Sequence, residues 1–254
     1  TLPDIRPEVV FEIGGWPVTN SLMSGLAILL LFFILGVYIN RNVRSPFVIS
    51  GKVQVVLEII YDSLTSLLNQ ITGDEELSRK ILPMVGTILI FFVFANIMPS
   101  LPPFNFITIN GNPLFRTHTN DFNTTFIIAA VAVLFVQYMS VQKYGLLNHL
   151  GKYIKVGEVI SAVKNDPKKI LESIVMVFIG LLDIIGELSR ILSLSLRLFG
   201  NMFAADLLMT IFLSMFAVLL PSTWLLMGFL SGIIQAVVFG ALTATYVSLA
   251  VQDE

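Results

Sequence analysis

Arg197 is the residue whose type and position point most directly to chemistry, because it lies within the apolar run SLSLRLFGNMFAADLL at residues 193–208. Placing a guanidinium in hydrocarbon costs at least ~2.5–3.5 kcal/mol on insertion scales, and such residues usually face a protein interior or a water-filled path. Guanidinium keeps its proton in proteins, which suits a site where a carboxylate comes and goes. The sequence therefore predicts an ion pathway beside Arg197.

Other charged residues lie near Arg197 in the sequence. Asp183, Arg190 and Arg197 recur at intervals of seven, so they share nearly one face of a helix, and Glu187 can pair with Arg190 at i,i+3. The positions three and four residues from Arg197 are uncharged, which leaves Arg197 without a counter-ion on its own helix. The alternative is a permanent ion pair between Arg197 and either Asp206 or a partner chain.

Asp206 follows Arg197 by nine residues. In a helix this places it ~13 Å along the axis and ~180° around it, so the two side chains cannot meet along one helix. A carboxylate in a water-accessible cavity can act as a proton relay. The alternative is a hydrogen bond that packs two helices together.

Buried amides supply further candidates. Asn201 lies one turn after Arg197 on the same face and is placed to hold it, while Gln235 lies in the last apolar segment. Each amide is equally suited to interhelical hydrogen bonding. Secondary candidates for a channel mouth are polar residues near the ends of predicted crossings: Asn96, Asp121 and Asn123. Asp121 and Asn123 also fit a helix N-terminus.

The composition predicts an integral membrane protein, with 56% hydrophobic and 13% charged residues among 254. A net charge of −2 gives no electrostatic support for a nucleic acid partner. The absence of cysteine excludes disulfides and thiol chemistry. His118 and His149 are predicted to be solvated and are too far apart in sequence to suggest a metal site. No P-loop motif is present, so we expect no cofactor, no catalytic residue and no nucleotide site in this chain.

Apolar periodicity predicts an all-α membrane protein, one membrane domain over 1–254, with about five crossings and an interfacial amphipathic helix. Residues 21–40 are long enough for a first crossing at ~20 residues. Residues 51–72 have an apolar and a polar side at helical spacing, which predicts the interfacial helix. The remaining segments are an outer N-terminal segment at 1–20, a helical hairpin at 79–143, a cytoplasmic loop at 144–170 and a long helical hairpin at 171–254.

The stretch 168–220 contains no proline. As one helix it would be ~80 Å long against a hydrocarbon thickness of ~30 Å, so we expect a steep tilt. A turn at Gly200 and Asn201 that folds the segment back is the alternative.

The last helix, 224–251, follows an expected break at Pro221 and Ser222. Small residues recur there at every fourth position, at Gly228, Gly232, Ala236, Gly240 and Ala244. This spacing predicts close packing against the long helix.

Basic residues fix the predicted orientation, because cytoplasmic loops carry the excess of Lys and Arg. Only Arg6 and Arg116 fall on one side. Eleven fall on the other, namely Arg41, Arg44, Lys52, Arg79, Lys80, Lys143, Lys152, Lys155, Lys164, Lys168 and Lys169. We therefore expect the N-terminus outside and the C-terminus in the cytoplasm.

Two segments, LSLRLFGNMFAADLL at 194–208 and IIQAVVFGALTATYVSLA at 233–250, resemble subunit a of F-type rotary ATP synthases, and the order of crossings fits from Ser21 onwards. The resemblance implies that the family's essential arginine falls on Arg197, its asparagine on Asn201, its acidic relay on Asp206 and its last-helix glutamine on Gln235. Asp183 matches a position that is acidic in some relatives.

This resemblance implies proton translocation through two offset half-channels that meet a rotating ring of c subunits on either side of Arg197. The two long C-terminal helices would face the ring. Asp206, with Asn96 and Asp121, would line the outer path, and Asp183 and Glu187 the inner one. The interfacial helix would contact the peripheral-stalk b subunits. The chain would not be an enzyme on its own, and a bacterial plasma membrane is the expected location, with thylakoid and mitochondrial inner membranes as alternatives.

The sequence departs from the resembled pattern at three positions. Asp206 stands where many relatives have Glu. Gly228 stands where several bacterial relatives have His and mitochondrial ones Glu, which is similar to the chloroplast and cyanobacterial pattern. Pro99 occupies a position that is acidic in some relatives. The outer path therefore lacks one titratable group of the pattern.

A secondary ion-coupled transporter is the alternative function, because intramembrane charges and Gly-interrupted helices also suit substrate sites. That class predicts two halves related by pseudo-symmetry, and the sequence contains no such repeat. A structural scaffold gives no reason for a lone mid-helix arginine.

Overall fold

The computed structural model describes residues 7–42, 52–98, 107–109, 112–146, 149, 151, 170–215 and 219–252. Within these ranges it contains six α-helices: α1 (Asn20–Asn42), α2 (Lys52–Thr72), α3 (Glu75–Ile97), α4 (Phe122–Tyr144), α5 (Ile170–Met215) and α6 (Leu219–Gln252). Two short antiparallel hairpins and a 3-10 turn complete it: β1 (Val9–Ile13) with β2 (Trp16–Thr19), β3 (Thr108–Ile109) with β4 (Asn112–Pro113), and His118–Asn120. The predicted all-α architecture is confirmed, and the predicted loop 144–170 lies mostly outside the described residues.

Four helices are long and apolar enough to cross a membrane: Asn20–Arg41, Glu75–Ile97, Phe122–Tyr144 and Thr223–Val251. They belong to α1, α3, α4 and α6, which supports the prediction of a multi-pass membrane protein. The long helix α5 is not among the four and carries several charged residues, Asp183, Glu187, Arg190, Arg197 and Asp206. Its role as a further crossing remains a prediction.

The long helix α5 is continuous over 46 residues, ~69 Å at 1.5 Å per residue. The single-helix prediction is confirmed, and the alternative turn at Gly200 and Asn201 is wrong, because both residues are helical. The expected break at Pro221 and Ser222 is also wrong. Both lie in the first turn of α6, where a proline N–H has no helical partner to lose.

The last helix contacts the long helix, as predicted, through Asn201 and Trp224 hydrogen bonds, but its glycines Gly232 and Gly240 pack against α3 instead. A Cβ at Gly232 would lie 2.9 Å from Asn96 Cβ, and one at Gly240 would lie 3.2 Å from Leu89 Cδ1. Spacing of small residues shows that some backbone can approach closely, but it does not say which one. Here α3 takes that place.

One buried cluster joins four helices at the level of the candidate arginine. It contains Ile88 and Phe92 of α3, Ala129, Ala132 and Val133 of α4, Leu194 and Leu198 of α5, and Ala236 and Phe239 of α6. Phe92 and Phe239 meet edge to face, with ring centroids 5.0 Å apart. Leu194 and Leu198 anchor α5 in this core and so fix the direction in which Arg197 points.

The helix α2 buries its C-terminal part, where Leu68 is 1% exposed. Apolar residues of its N-terminal half are exposed, including Val53, Val56 and Ile59. A membrane interface or a partner chain can cover such a surface. Its placement in the interface remains a prediction.

Candidate functional site

Arg197 lies on the exposed side of α5. Leu194 and Leu198, three residues before and one after it, are 2% and 1% exposed and hold the adjacent side of α5 in the core. In the described part of the chain Arg197 forms no hydrogen bond and no ion pair. The guanidinium therefore points outwards. The alternative, a permanent ion pair between Arg197 and Asp206, is not observed.

A stripe of small side chains runs along α5 through Arg197. Ser189, Ser193, Gly200 and Ala204 are exposed and lie on the same side of α5 at helical spacing. A Cβ at Gly200 would have no heavy atom within 4 Å. We name these four residues with Arg197 the arginine face. It lets another helix approach closely and presents one fixed positive charge to it.

Two predicted amides lie where α5 meets α6. Asn201 Nδ2 donates to Ser231 Oγ over 2.8 Å, so this side chain joins the two helices instead of holding Arg197 as we expected. Gln235 lies one turn after Ser231 on α6, and its Oε1 is buried without a hydrogen-bond partner among the described residues. The structure thus places both amides near the α6 edge of the arginine face.

Asp206 lies near the other end of α5 from the inner acids and is held by the 3-10 turn. Asn120 Nδ2 donates to Asp206 Oδ2 over 2.6 Å, and the positive charge of Arg116 attracts the carboxylate. The next helix contacts the same level of α5, because Trp224 Nε1 donates to the Ala205 carbonyl over 2.9 Å. Asp206 therefore has partners outside α5, as the helical geometry required.

Asn96 connects to this group through Thr119. Thr119 Oγ1 donates to Asn96 Oδ1 over 2.5 Å, and Asn96 Nδ2 donates to the Gly232 carbonyl over 3.3 Å. Asn96 is 3% exposed and Thr119 is fully buried. The structure thus gathers buried polar groups of α3, the turn and α5 at one end of the helices.

Asp121 and Asn123 lie at the start of α4, directly after the turn that binds Asp206. Asp121 caps α4, accepting from the Asn123 backbone N–H over 3.0 Å and from Thr124 Oγ1 over 3.4 Å. This is the helix-terminus interpretation of the pair. The Asn123 side chain is exposed.

His118 was predicted to be solvated, and this is wrong. Its Nδ1 donates to the Ser21 carbonyl over 3.0 Å, its ring meets Phe91 edge to face, and a Cβ at Gly25 would lie 2.8 Å from its Cε1. Burial lowers the pKa of His118, opposed by the Ser21 hydrogen bond and the charge of Asp121. Gly25 leaves the space that the ring occupies.

A polar cavity of about 290 Å³ lies at the other end of α5. Its polar lining comprises Gln137, Ser140, His149, Asp183, Glu187 and Arg190. Glu187 Oε1 accepts from Arg190 Nη1 over 2.7 Å, and the guanidinium lies 4.9 Å from the Tyr246 ring centroid. The two inner acids predicted from the sequence therefore share one cavity.

Sequence reasoning missed several residues around Asp206 and in the polar cavity at the other end of α5. Arg116, Thr119 and Asn120 belong to the polar run RTHTND before α4, whose composition indicated only a loop. His149 was predicted to be solvated, yet it lines the inner cavity, with its Nδ1 3.0 Å from Ser140 Oγ. Among the described residues no group of three metal-ligating side chains is placed to bind an ion.

Comparison with known proteins gives one consistent family. A family model described as ATP synthase A chain matches residues 21–248. ATP synthase subunit a of Moorella thermoacetica is 30% identical over 244 residues, covering 96% of this chain and 96% of that protein. ATP synthase subunit a of Gloeobacter violaceus is 30% identical over 252 residues, covering 98% and 91%. The chloroplastic subunit a of Stigeoclonium helveticum is 27% identical over 256 residues, covering 98% and 94%.

Proposed function

Because the chain belongs to the ATP synthase A chain family, we propose that it is the proton-conducting stator subunit of an F-type ATP synthase. In this proposal it is not an enzyme on its own and works against a rotating ring of c subunits. The arginine face meets the ring, and each ring subunit brings one carboxylate past Arg197. The observation that carries the proposal is an exposed, unpaired guanidinium on a face of small residues.

The outer half-channel ends at Asp206 in this proposal. Its carboxylate is bound by Asn120 at one end of the helices, and Asn96 and Thr119 extend the buried polar groups from there. A proton entering from outside reaches Asp206 and continues from there to an ionised ring carboxylate. Asp121 and Asn123 line the approach to this path.

The inner half-channel is the polar cavity at the other end of α5. Asp183 and Glu187, which line this cavity, accept the proton that a ring carboxylate releases after rotation, and in this proposal the cavity leads to the cytoplasm. Arg190 holds Glu187 through their ion pair. Asn201 joins α5 to α6 through Ser231, and Gln235 lies one turn further along α6 at the edge where the ring passes.

Arg197 separates the two paths. It lies seven residues after Arg190 and nine before Asp206, which corresponds to ~10 Å and ~13 Å along the axis. A fixed positive charge favours the ionised form of a carboxylate close to it and repels a proton between the half-channels. Protons must then travel on the ring, and rotation is coupled to flux.

The orientation in this proposal has the N-terminus outside and the C-terminus in the cytoplasm of a bacterial plasma membrane. The arrangement of basic groups supports it. Lys80 at the start of α3 and Lys143 at the end of α4 line one surface pocket with Val251 at the end of α6. These helix ends therefore lie together and carry lysines, as cytoplasmic ends do. The exposed half of α2 then contacts the peripheral-stalk b subunits.

Disulfide cross-linking tests the arginine face directly, because this chain contains no cysteine of its own. Ser193→Cys places a thiol on the arginine face, whereas the control Ser195→Cys places it in the core, where Ser195 is 0% exposed and lies 3.3 Å from Thr125 Oγ1. With a second cysteine beside the ring carboxylate, oxidation should join Ser193→Cys to the ring and stop ATP-driven proton pumping. Equal cross-linking of both variants, or of neither, would contradict the proposed ring contact.

A further inference from the structure

The turn His118–Asn120 directs three consecutive side chains to three different helices. His118 binds the Ser21 carbonyl of α1, Thr119 binds Asn96 of α3, and Asn120 binds Asp206 of α5. The segment before the turn is itself tied to α1, because the Arg116 backbone N–H donates to Ser24 Oγ over 2.9 Å. The position of the Asn120 amide is therefore fixed by contacts on several sides.

Of the two polar atoms of the Asn120 side chain, only the amide nitrogen has a hydrogen-bond partner among the described residues. It is 1% exposed, its Nδ2 donates to Asp206, and its Oδ1 is buried without a partner in the described part of the chain. A buried acceptor without a donor destabilises a fold. The amide cannot turn to relieve this while Asp206 is ionised, because the carboxylate accepts hydrogen bonds and would face the amide oxygen. An apolar side chain would avoid the cost, so the contact with Asp206 explains why an amide stands here.

The other groups around Asp206 interact in different ways from the Asn120 amide. Arg116 attracts the carboxylate by its charge, and Trp224 of α6 binds the neighbouring Ala205 carbonyl rather than Asp206. The Asp121 carboxylate, next to Asn120 in sequence, accepts from Asn123 and Thr124 at the start of α4. Among the described residues, Asn120 makes the side-chain hydrogen bond to this carboxylate.

We propose that Asn120 is a positioning residue for ion translocation, which holds the Asp206 carboxylate in place through an amide fixed by the 118–120 turn. This inference rests on the proposed function, because it acts through Asp206. Hydrogen bonding to the ionised form of an acid favours that form. Removing the donor should therefore let Asp206 take up its proton at a higher pH.

The test measures ATP-driven proton pumping against pH in membrane vesicles that contain the assembled complex. Asn120→Leu has nearly the shape of Asn and no donor, and we expect it to move the pH of half-maximal pumping upwards by about one unit. The matched control, Thr243→Val, removes a buried threonine hydrogen bond within α6, to the Phe239 carbonyl, and leaves Asp206 with its partner. It should keep the wild-type pH profile, even if it lowers the amount of complex.

Each outcome is decisive. An unshifted profile in Asn120→Leu, or the same shift in Thr243→Val, would overturn the inference and reduce the turn to a packing element. If Asn120→Leu fails to assemble, Asn120→Ala deletes the amide without adding volume and is judged by the same profile. Asp206→Asn distinguishes a failure of this inference from a failure of the proposed function, since unchanged pumping in that variant would refute the proposed role of Asp206 itself.

Discussion

Gly232→Ala should destabilise the packing of α6 on α3. The added Cβ would lie 2.9 Å from Asn96 Cβ, where ordinary contacts begin at 3.4 Å, and the nearest atoms belong to a side chain already bound on both sides. Overpacking of this kind costs ~1–3 kcal/mol, and loss of the hydrogen bond from Asn96 to the Gly232 carbonyl costs ~0.5–1.5 kcal/mol. The better helix propensity of alanine returns about 1 kcal/mol. We expect a net destabilisation of about 1–3 kcal/mol.

Gly228→Ala is the matched control for this prediction. It lies one turn earlier on α6, and a Cβ there would have no heavy atom within 4 Å. It keeps the gain in helix propensity without the clash, so its stability should equal or exceed that of wild type. The assay is the temperature at which half of the chain is lost from the purified complex. Equal retention of the Gly232→Ala and Gly228→Ala variants would refute the reasoning that α6 is seated on Asn96.

Two further predictions concern His118 and Glu187. The pKa of His118 is lowered in the folded protein, so below the ordinary pKa of ~6.5 the unfolded chain binds more protons than the folded one. The free energy of unfolding should therefore be largest above that pH and fall as the pH drops below it. His118→Phe should abolish this dependence, as measured by thermal denaturation at a series of pH values. Glu187→Gln should lower proton flux because it removes an acid of the inner cavity, whereas Glu75→Gln, in an exposed pair with Arg79 at the same 2.7 Å, should leave flux unchanged. A flux equal to wild type in Glu187→Gln would exclude Glu187 from the path.

Residue type and spacing were enough to predict the helices and a functional site at Arg197. Uncharged runs of bilayer length predicted α1, α3, α4 and α6, because apolar side chains and internally bonded backbone are what a membrane requires. The lack of loop composition around Gly200 predicted a continuous α5. The charge of Arg197 pointed to a functional site for the same energetic reason.

Contacts between distant segments could not be predicted from the sequence. The small residues of α6 indicated close packing, but α3 and α5 both offered apolar surfaces, and only the fold decides between them. The run RTHTND had the composition of a loop, and nothing local shows that Asn120 would be buried against Asp206, 86 residues later. Gly25 likewise gave no sign that it makes room for His118.

The measurement that tests the central claim most directly is ATP-driven proton pumping, with passive proton leak, in vesicles whose complex carries Arg197→Ala. Arg79→Ala is the control, because that guanidinium is exposed and paired with Glu75 on its own helix. We predict that Arg197→Ala assembles, loses pumping and leaks protons, whereas Arg79→Ala pumps like wild type. Pumping close to wild type in Arg197→Ala would contradict the claim that protons are separated at this residue.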